Sequence, residues 1–251
     1  MISKSQIQDI RSLHTKKQRA LSKRFIAEGI KTVAEILDQH AAIINEVFCT
    51  DEFYVVHEKK LQSKKIKTIR INEKELSQIS LLTTPNAVLA VCDNLAESKI
   101  TSDLNDTFAF YLDDIRDPGN FGTIVRICSW FGIRDLFCSE ESVELYNPKC
   151  IQACMGAFLR VNVHYIPLKE LIASKKIKNV YATQLQGKNI YNESLKCGLI
   201  IIGNEANGIC KETLQLASES LTIPSASGNT ESLNAAIATS IIASEFFRRN
   251  L

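Results

Sequence analysis

Phe108-Ala-Phe-Tyr-Leu112-Asp-Asp-Ile-Arg116-Asp-Pro118-Gly119-Asn120-Phe121-Gly122-Thr-Ile-Val-Arg126 runs from an apolar strand through a turn into a helix. Residues 108–112 are short and wholly apolar, the mark of a buried strand, and Pro118 and Gly119 set the bend. Asn120 is a residue type that caps the helix read over residues 121–131. A strand at 135–138 follows, and the rhythm continues with strands at 180–183 and 199–202 and helices near 168–175, 211–217 and 231–249. Strands alternating with helices predict an α/β fold with a parallel sheet covered on both faces. In such sheets ligands gather beyond the carboxyl ends of the strands.

Upstream the pattern describes a smaller unit. From Phe25 the positions Ile26, Ile30, Val33, Ile36 and Leu37 recur at helical spacing, while Val47-Phe-Cys49, Tyr54-Val-Val56 and Thr68-Ile-Arg-Ile71 read as strands. Ala87-Val-Leu-Ala-Val-Cys92 is a buried strand that closes this unit, and the polar stretch 97–106 reads as a linker. The chain therefore divides into a first domain, 1–98, and a second, 107–251, a division its 251 residues accommodate.

The net charge of +2 conceals an asymmetry. Residues 1–72 carry 14 Lys and Arg against 8 Asp and Glu, whereas 73–251 carry 16 against 20. The opening is densest, and Lys16, Lys17, Arg19, Lys23 and Arg24 are candidate phosphate contacts of an arm or helix; a solvated helix face is the plain alternative. The eight cysteines form no C-x-x-C pair and sit mostly in apolar runs, which fits free thiols in a reducing cytoplasm. Cys150 and Cys154 share a helical spacing, but no histidine or second pair completes a metal site, so packing is expected and no metal. No run approaches about 18 apolar residues and no export signal is apparent, so neither a membrane protein nor a secreted one is expected.

Three motifs carry the chemistry. In the first, Asn120 precedes Arg126 by six residues, and Arg126 interrupts an otherwise apolar helix (Ile124, Val125, Ile127, Trp130, Phe131). Either Asn120 only caps and Arg126 only pairs with Asp113 or Asp114, or this arginine meets an anionic ligand. The second, Gly203-Asn-Glu205-Ala-Asn207-Gly208, follows the apolar Leu199-Ile-Ile-Ile202, where a glycine allows close approach to the backbone. It is neither a Walker A loop nor G-x-G-x-x-G, and Glu205 is open to reading as a surface acid or a site residue. In the third, Ile223-Pro-Ser-Ala-Ser-Gly228-Asn-Thr-Glu231-Ser232-Leu233-Asn234, a polar loop enters a helix with an apolar stripe of Leu233, Ile237, Ile241, Ile242 and Phe246. Thr230 or Ser232 is the expected cap, and the stripe reads as core or subunit interface.

Taken together, in this order and at these spacings, the motifs resemble those of the SpoU (TrmH-like) family of RNA ribose 2′-O-methyltransferases, within the knotted SPOUT superfamily. The resemblance covers about residues 107–249 and includes Asn147-Pro-Lys149 through Ala153-Cys154-Met-Gly156-Ala. Phe25-Ile-Ala-Glu28-Gly29-Ile30-Lys31 is similar to the family's small substrate-binding domain, itself like ribosomal protein L30e.

The resemblance implies a deep trefoil knot in the second domain, with S-adenosylmethionine bent within it and homodimers pairing through it. It implies that Gly203, Ile223 and Leu233, with Thr183 after its strand, hold the cofactor. Asn120, Ser232 and Asn234 would orient the ribose and the loops, and Glu205 would brace the second motif. Arg126 has been suggested as the base of this family; an arginine is a poor proton acceptor, so a phosphate-binding and alkoxide-stabilising role is the reading adopted here. The implied reaction is 2′-O-methylation of structured RNA, ribosomal rather than transfer RNA. A transfer RNA substrate, a noncatalytic RNA-binding protein and methylation of a base nitrogen are the alternatives. Ser225 stands where the family often has methionine, Cys154 replaces a frequent serine, and the 225–230 loop is about one residue longer, which leaves cofactor contacts in that loop open.

Overall fold

The computed structural model describes residues 2–226 and 232–249, arranged as two compact units. The first comprises Met1–Glu97 together with Leu145–Leu159, and the second Ser98–Glu144 with Arg160–Leu251.

The first unit opens with helices α1 (Lys4–Ser12) and α2 (Lys16–Ser22). A reciprocal capping box of Ser3 and Gln6 starts α1, and Thr15 caps α2. Then come β1 (Arg24–Glu28), α3 (Ile30–Gln39), β2 (Ile44–Cys49), α4 (Asp51–Ser63), β3 (Lys67–Arg70), α5 (Glu73–Ile79) and β4 (Val88–Asp93). The sheet order is β1-β4-β2-β3, with β4 antiparallel to β1 and β2, and β3 parallel to β2. Two elements depart from their local periodicity. Residues 25–28 form a strand, because Phe25 and Ile26 bury on opposite faces of the sheet: Phe25 packs against Tyr146 and edge-on against Phe158, while Ile26 joins the cluster of Ile10, Leu13, Phe48 and Leu89. Tyr54-Val-Val56 lies within α4, where only Phe53 and Leu61 are buried and Val55 and Val56 stay exposed.

The basic opening is no arm. Ile2, Ile10 and Leu13 belong to the core. Arg19 is 3% exposed and donates to the Leu13 carbonyl at 2.7 Å, so its guanidinium locks the α1–α2 turn instead of meeting phosphate. Arg24 is engaged bidentately by Asp9 at 2.9 and 3.1 Å. Lys16, Lys17 and Lys23 remain exposed.

In the second unit the order is β5 (Phe108–Asp113), α6 (Pro118–Trp130), β6 (Asp135–Cys138), then α7 (Pro148–Cys154) in the excursion to the first unit. It continues with β7 (Asn162–Tyr165), α8 (Leu168–Lys175), β8 (Val180–Asn189), β9 (Gly198–Gly203), α9 (Lys211–Leu214), β10 (Glu219–Thr222) and α10 (Ala235–Arg249). Six strands in the order β10-β8-β9-β5-β6-β7 form one sheet, and every pairing is parallel. The expected α/β fold with a parallel sheet is what the chain adopts. Its central strands are apolar without alternation, as burial on both faces requires. Phe246 of α10 packs on Phe108 and Tyr181 beneath the sheet.

The division at 98 and 107 differs from these units in two ways. Leu145–Leu159 packs with the first unit, where the Leu95 amide donates to the Tyr146 hydroxyl at 2.9 Å and Cys150, Ile151, Cys154 and Phe158 are buried. Residues 98–106 are anchored in the second unit through buried Leu104 and through Ser102, which hydrogen-bonds Asp135. Asp135 is fully buried at the amino end of β6 and also accepts from Asn162 (3.2 Å) and His164 Nε2 (2.8 Å). Burial opposes its charge, but the hydrogen bonds from His164, Ser102 and Asn162 overcome this and hold the carboxyl well below the usual carboxylate range. A depressed folded value stabilises the protein above the unfolded carboxylate value of about 4, and this contribution fades as pH falls below it. Asp135→Asn should therefore cost about 2–4 kcal/mol at pH 7, with a difference in melting temperature that narrows as pH falls from 5 to 2. Calorimetry across that range checks this, and parallel wild-type and variant curves would contradict it.

Candidate active site at the carboxyl ends of the sheet

β5 ends on Asp113, β9 on Gly203 and β10 on Thr222, all strands pointing the same way, so the three motifs emerge on one edge of the sheet. Asp113 and Gly203 are direct neighbours in the ladder.

The first motif is organised by Asp117, not Asn120. Asp117 is the N-cap of α6, accepting from the Asn120 amide at 2.7 Å, with Pro118 in the first helical position. Asn120 lies in the first turn with its side chain directed away from its own backbone. The second motif is a tight turn in which Asn204 and Gly208 exchange backbone hydrogen bonds of 3.0 and 2.9 Å. The Asn204 side chain accepts from the amides of Ala206 (2.9 Å) and Asn207 (3.1 Å) and donates to the Asp114 carbonyl at 2.7 Å. This turn explains Gly203: a Cβ there would stand 2.5 Å from the backbone of Gly208 and Ile209. The missing side chain at Gly203 admits its own returning loop. Buried Asp113 holds the far side of the turn, accepting from the Cys210 amide (2.7 Å) and the Thr213 hydroxyl (3.2 Å).

The third motif enters α10 through Asn234, whose carbonyl oxygen accepts from the amides of Ala236 (2.9 Å) and Ile237 (3.2 Å). Asn234 is thus the cap. Residues 227–231, including Gly228, Thr230 and Glu231, lie outside the described residues.

Side chains from all three motifs then join. Asn234 Nδ2 donates to Asn120 Oδ1 at 2.8 Å, and Asn120 Nδ2 donates to Glu205 Oε1 at 2.7 Å. The direction of this chain is dictated at both ends, since helix amides only donate and an ionised carboxylate only accepts. Both asparagine amides are thereby oriented. Arg126 lies on the exposed side of α6, six residues or about 9 Å along the axis from Asn120, while Ile124, Val125 and Cys128 face inward. It is therefore not embedded in apolar surroundings. Asp114 takes Arg116 at 2.7 Å, and Asp113 holds the second motif. Ser232 and Leu233 are exposed beside Asn234.

Thr183 is not beyond its strand, because β8 continues to Asn189. Its hydroxyl donates to the Ile201 carbonyl at 2.7 Å. β10 pairs with Ala182 and next with Lys188, so residues 183–187 stand out of that ladder at the same edge as Gly203 and Ile223, with Leu185 71% exposed. Asp113, Asp117 and Asn204 are the organising residues that sequence reading missed. Their signals were an acid closing an apolar strand, an acid directly before Pro-Gly, and Asn four residues before a glycine. No cluster of three or more potential metal ligands occurs among the described residues.

Residues 107–244 match the profile of the SpoU rRNA Methylase family, and residues 4–90 that of the MRM3-like substrate binding domain. The chain belongs to the SpoU rRNA methylase family. Among its relatives is the Bacillus subtilis 23S rRNA (guanosine(2553)-2′-O)-methyltransferase RlmP, 27% identical over 94% of this chain and 93% of that one. A TrmH-family protein of Porphyromonas gingivalis superposes with a TM-score of 0.84 at 32% identity, covering 99% of each chain. An AdoMet-bound rRNA methyltransferase from Sinorhizobium meliloti superposes with a TM-score of 0.86 at 27% identity, covering 100% of this chain and 98% of that one. In this SpoU-family chain the profile spans all three motifs joined by the asparagine chain.

Asn120→Asp tests the joint. It sets a second carboxylate against Glu205, and like charges at that distance repel, so the variant loses stability as pH rises through the carboxylate range. A melting temperature lower than wild type by about 2–4 °C at pH 8, with the gap closing by pH 4, is expected. A gap independent of pH would show that the contact does not persist in solution.

Proposed function

We propose that this protein transfers a methyl group from S-adenosylmethionine to a ribose 2′-hydroxyl of structured RNA, ribosomal RNA in particular. The observation that carries the reading is the Asn234–Asn120–Glu205 chain, which holds three separate motifs of a SpoU-family protein at one edge of a parallel sheet.

The residues at that edge suit the cofactor. Gly203 and Ile223 offer backbone groups from neighbouring loops, while Ile223, Leu185 and Leu233 supply apolar surface for an adenine ring. Thr183, tied to the Ile201 carbonyl, stiffens the loop beside them. A bound S-adenosylmethionine supplies an electrophilic methyl group; the chain's task is to place the nucleophile and carry charge. An arginine guanidinium remains protonated in proteins, so Arg126 acts as donor and cation, gripping the phosphate beside the target ribose and stabilising the developing alkoxide. Asn120, oriented by Glu205 and Asn234, presents a fixed amide to the ribose, and Ser232 completes the polar lining.

The same reading includes the trefoil knot and the L30e-like first domain. It is supported by α10, which follows the edge strand β10 in sequence yet packs on α6 and β9 toward the middle of the sheet. A homodimer is supported by exposed apolar residues on α6 and α10: Trp130 at 84%, Ile237 at 54% and Phe247 at 40%. RNA contact is assigned to Lys16, Lys17 and Lys23, and localisation to the cytoplasm is supported by eight free cysteines.

The test is methyl transfer from labelled S-adenosylmethionine to RNA of a strain lacking this gene, with mapping of 2′-O-methyl sites. One new site in ribosomal RNA is expected. A site in transfer RNA would redirect the substrate, and no incorporation beside clear RNA binding would favour a noncatalytic role. Arg126→Ala should lower the transfer rate by about 10²–10³-fold and leave cofactor affinity, read by calorimetry, within about twofold. A large loss of cofactor affinity would assign Arg126 to the cofactor pocket instead.

A further inference from the structure

The four-stranded sheet of the first unit is polarised by charge from end to end. β1, β2 and β3 run in one direction and β4 in the other, so the start of β1, the start of β3 and the end of β4 share one end of the sheet. The register draws a row across it: Arg24 opposite Asp93, Asn45 donating to Asp93 at 2.9 Å, and Glu46 opposite Lys67. The acids of this row are engaged within it, since Asp9 holds Arg24, Asp93 takes Asn45 and Glu46 takes Lys67.

Two helices deliver further cations to the same end. α2 finishes on Lys23 at the start of β1, and α4 finishes on Lys64 and Lys65 just before β3. The two sites are 41 residues apart in sequence and three strand spacings apart in space, about 14 Å. Lys16 and Lys17 extend the first site along α2. All five lysines are exposed and none forms an ion pair among the described residues. At the opposite end of the sheet lies a cleft of about 760 Å³ whose rim carries Asp51, Glu52, Glu73 and Glu75, with Arg70 already held by Asp51 at 2.6 Å.

We propose that the Lys23 and Lys64–Lys65 end of this sheet is a two-point phosphate-binding surface for structured RNA, assembled from the ends of α2 and α4. The proposal rests on the RNA-methylating function argued above and assigns the substrate-docking face of the first unit. Two cation sites set apart on a rigid sheet grip a folded backbone at fixed separation, and the acidic far end turns the polyanion away from the other side. The groups this surface presents are lysine ammoniums, which as point charges meet phosphates and so read the shape of the backbone.

Lys23 (φ 54°) and Lys65 (φ 53°) occupy the left-handed backbone region that favours glycine. Lys23→Gly with Lys65→Gly therefore removes both charges without loading the backbone, and the melting temperature should hold or rise. Binding of the full-length protein to a 23S ribosomal RNA transcript would be followed from 50 to 200 mM salt. The plot of log affinity against log salt should flatten by about two for the double variant, with affinity at least about tenfold lower at 100 mM salt. Glu52→Gln with Glu73→Gln, at the other end, should leave the slope at its wild-type value. Lys16→Gln with Lys64→Gln, at exposed positions, repeats the test should the glycine variant fold poorly. A double variant with the wild-type slope overturns the proposal while leaving the methyltransferase reading intact. Failure of the wild-type protein to bind RNA at all overturns both, and an equal loss of binding to polyglutamate would hand the surface to an acidic protein partner.

Discussion

One chain of hydrogen bonds, from the first amides of α10 through Asn234 and Asn120 to Glu205, ties together residues more than a hundred positions apart. Its polarity admits a single arrangement of donors and acceptors, because the helix end cannot accept and the ionised carboxylate cannot donate. Each asparagine amide is consequently presented in one orientation, at the edge where β5, β9 and β10 end. A site built from loops acquires the rigidity of the sheet without placing its polar groups inside the core. The exposed position of these groups leaves them accessible to a large polyanionic substrate.

The loops themselves are held by residues that do no chemistry. Asp113 closes an otherwise apolar strand and anchors the amide of Cys210, Asn204 folds the second motif onto the Asp114 carbonyl, and Gly203 yields its side-chain volume to that turn. Asp117 takes the capping duty at α6 and so releases the Asn120 side chain to bridge the motifs. This separation of duties accounts for two asparagines and a glycine whose roles differ from their usual ones. At the other end of the same sheet, buried Asp135 gathers Ser102, Asn162 and His164, securing the segment that enters the second unit.

The first unit handles charge differently. Its basic opening divides into cations spent on the fold, Arg19 on a carbonyl and Arg24 on Asp9, and lysines left exposed at one end of the sheet. Arginine serves the internal contacts because its planar fork makes several fixed hydrogen bonds; lysine serves the surface as a mobile point charge. Charge density in the sequence is thus a poor guide to which cations meet a partner, since the count does not distinguish the two fates.

The sequence by itself determined the class of the fold, because apolar runs alternating with amphipathic helices admit little besides a covered parallel sheet, and the spacing of three motifs pointed to the family. It also named Asn120, Gly203, Glu205 and Asn234, which the structure gathers at the carboxyl ends of the sheet. A short strand buried on both faces and a helix with few buried residues were less legible: β1 and α4 exchanged their apparent periodicities because Phe25 and Ile26 face different partners and Val55 and Val56 are exposed. Only the tertiary structure decided that Asp117 caps α6, that Leu145–Leu159 packs with the first unit, that Arg19 is internal and that Arg126 faces outward. The last three depend on packing between elements, whereas the Asp117 cap is a contact three residues along the chain that competed locally with Asn120 for the same duty. Local propensity is set within a few residues, whereas which side of a helix is buried and which lysines share an end of a sheet are set by the packing of whole elements.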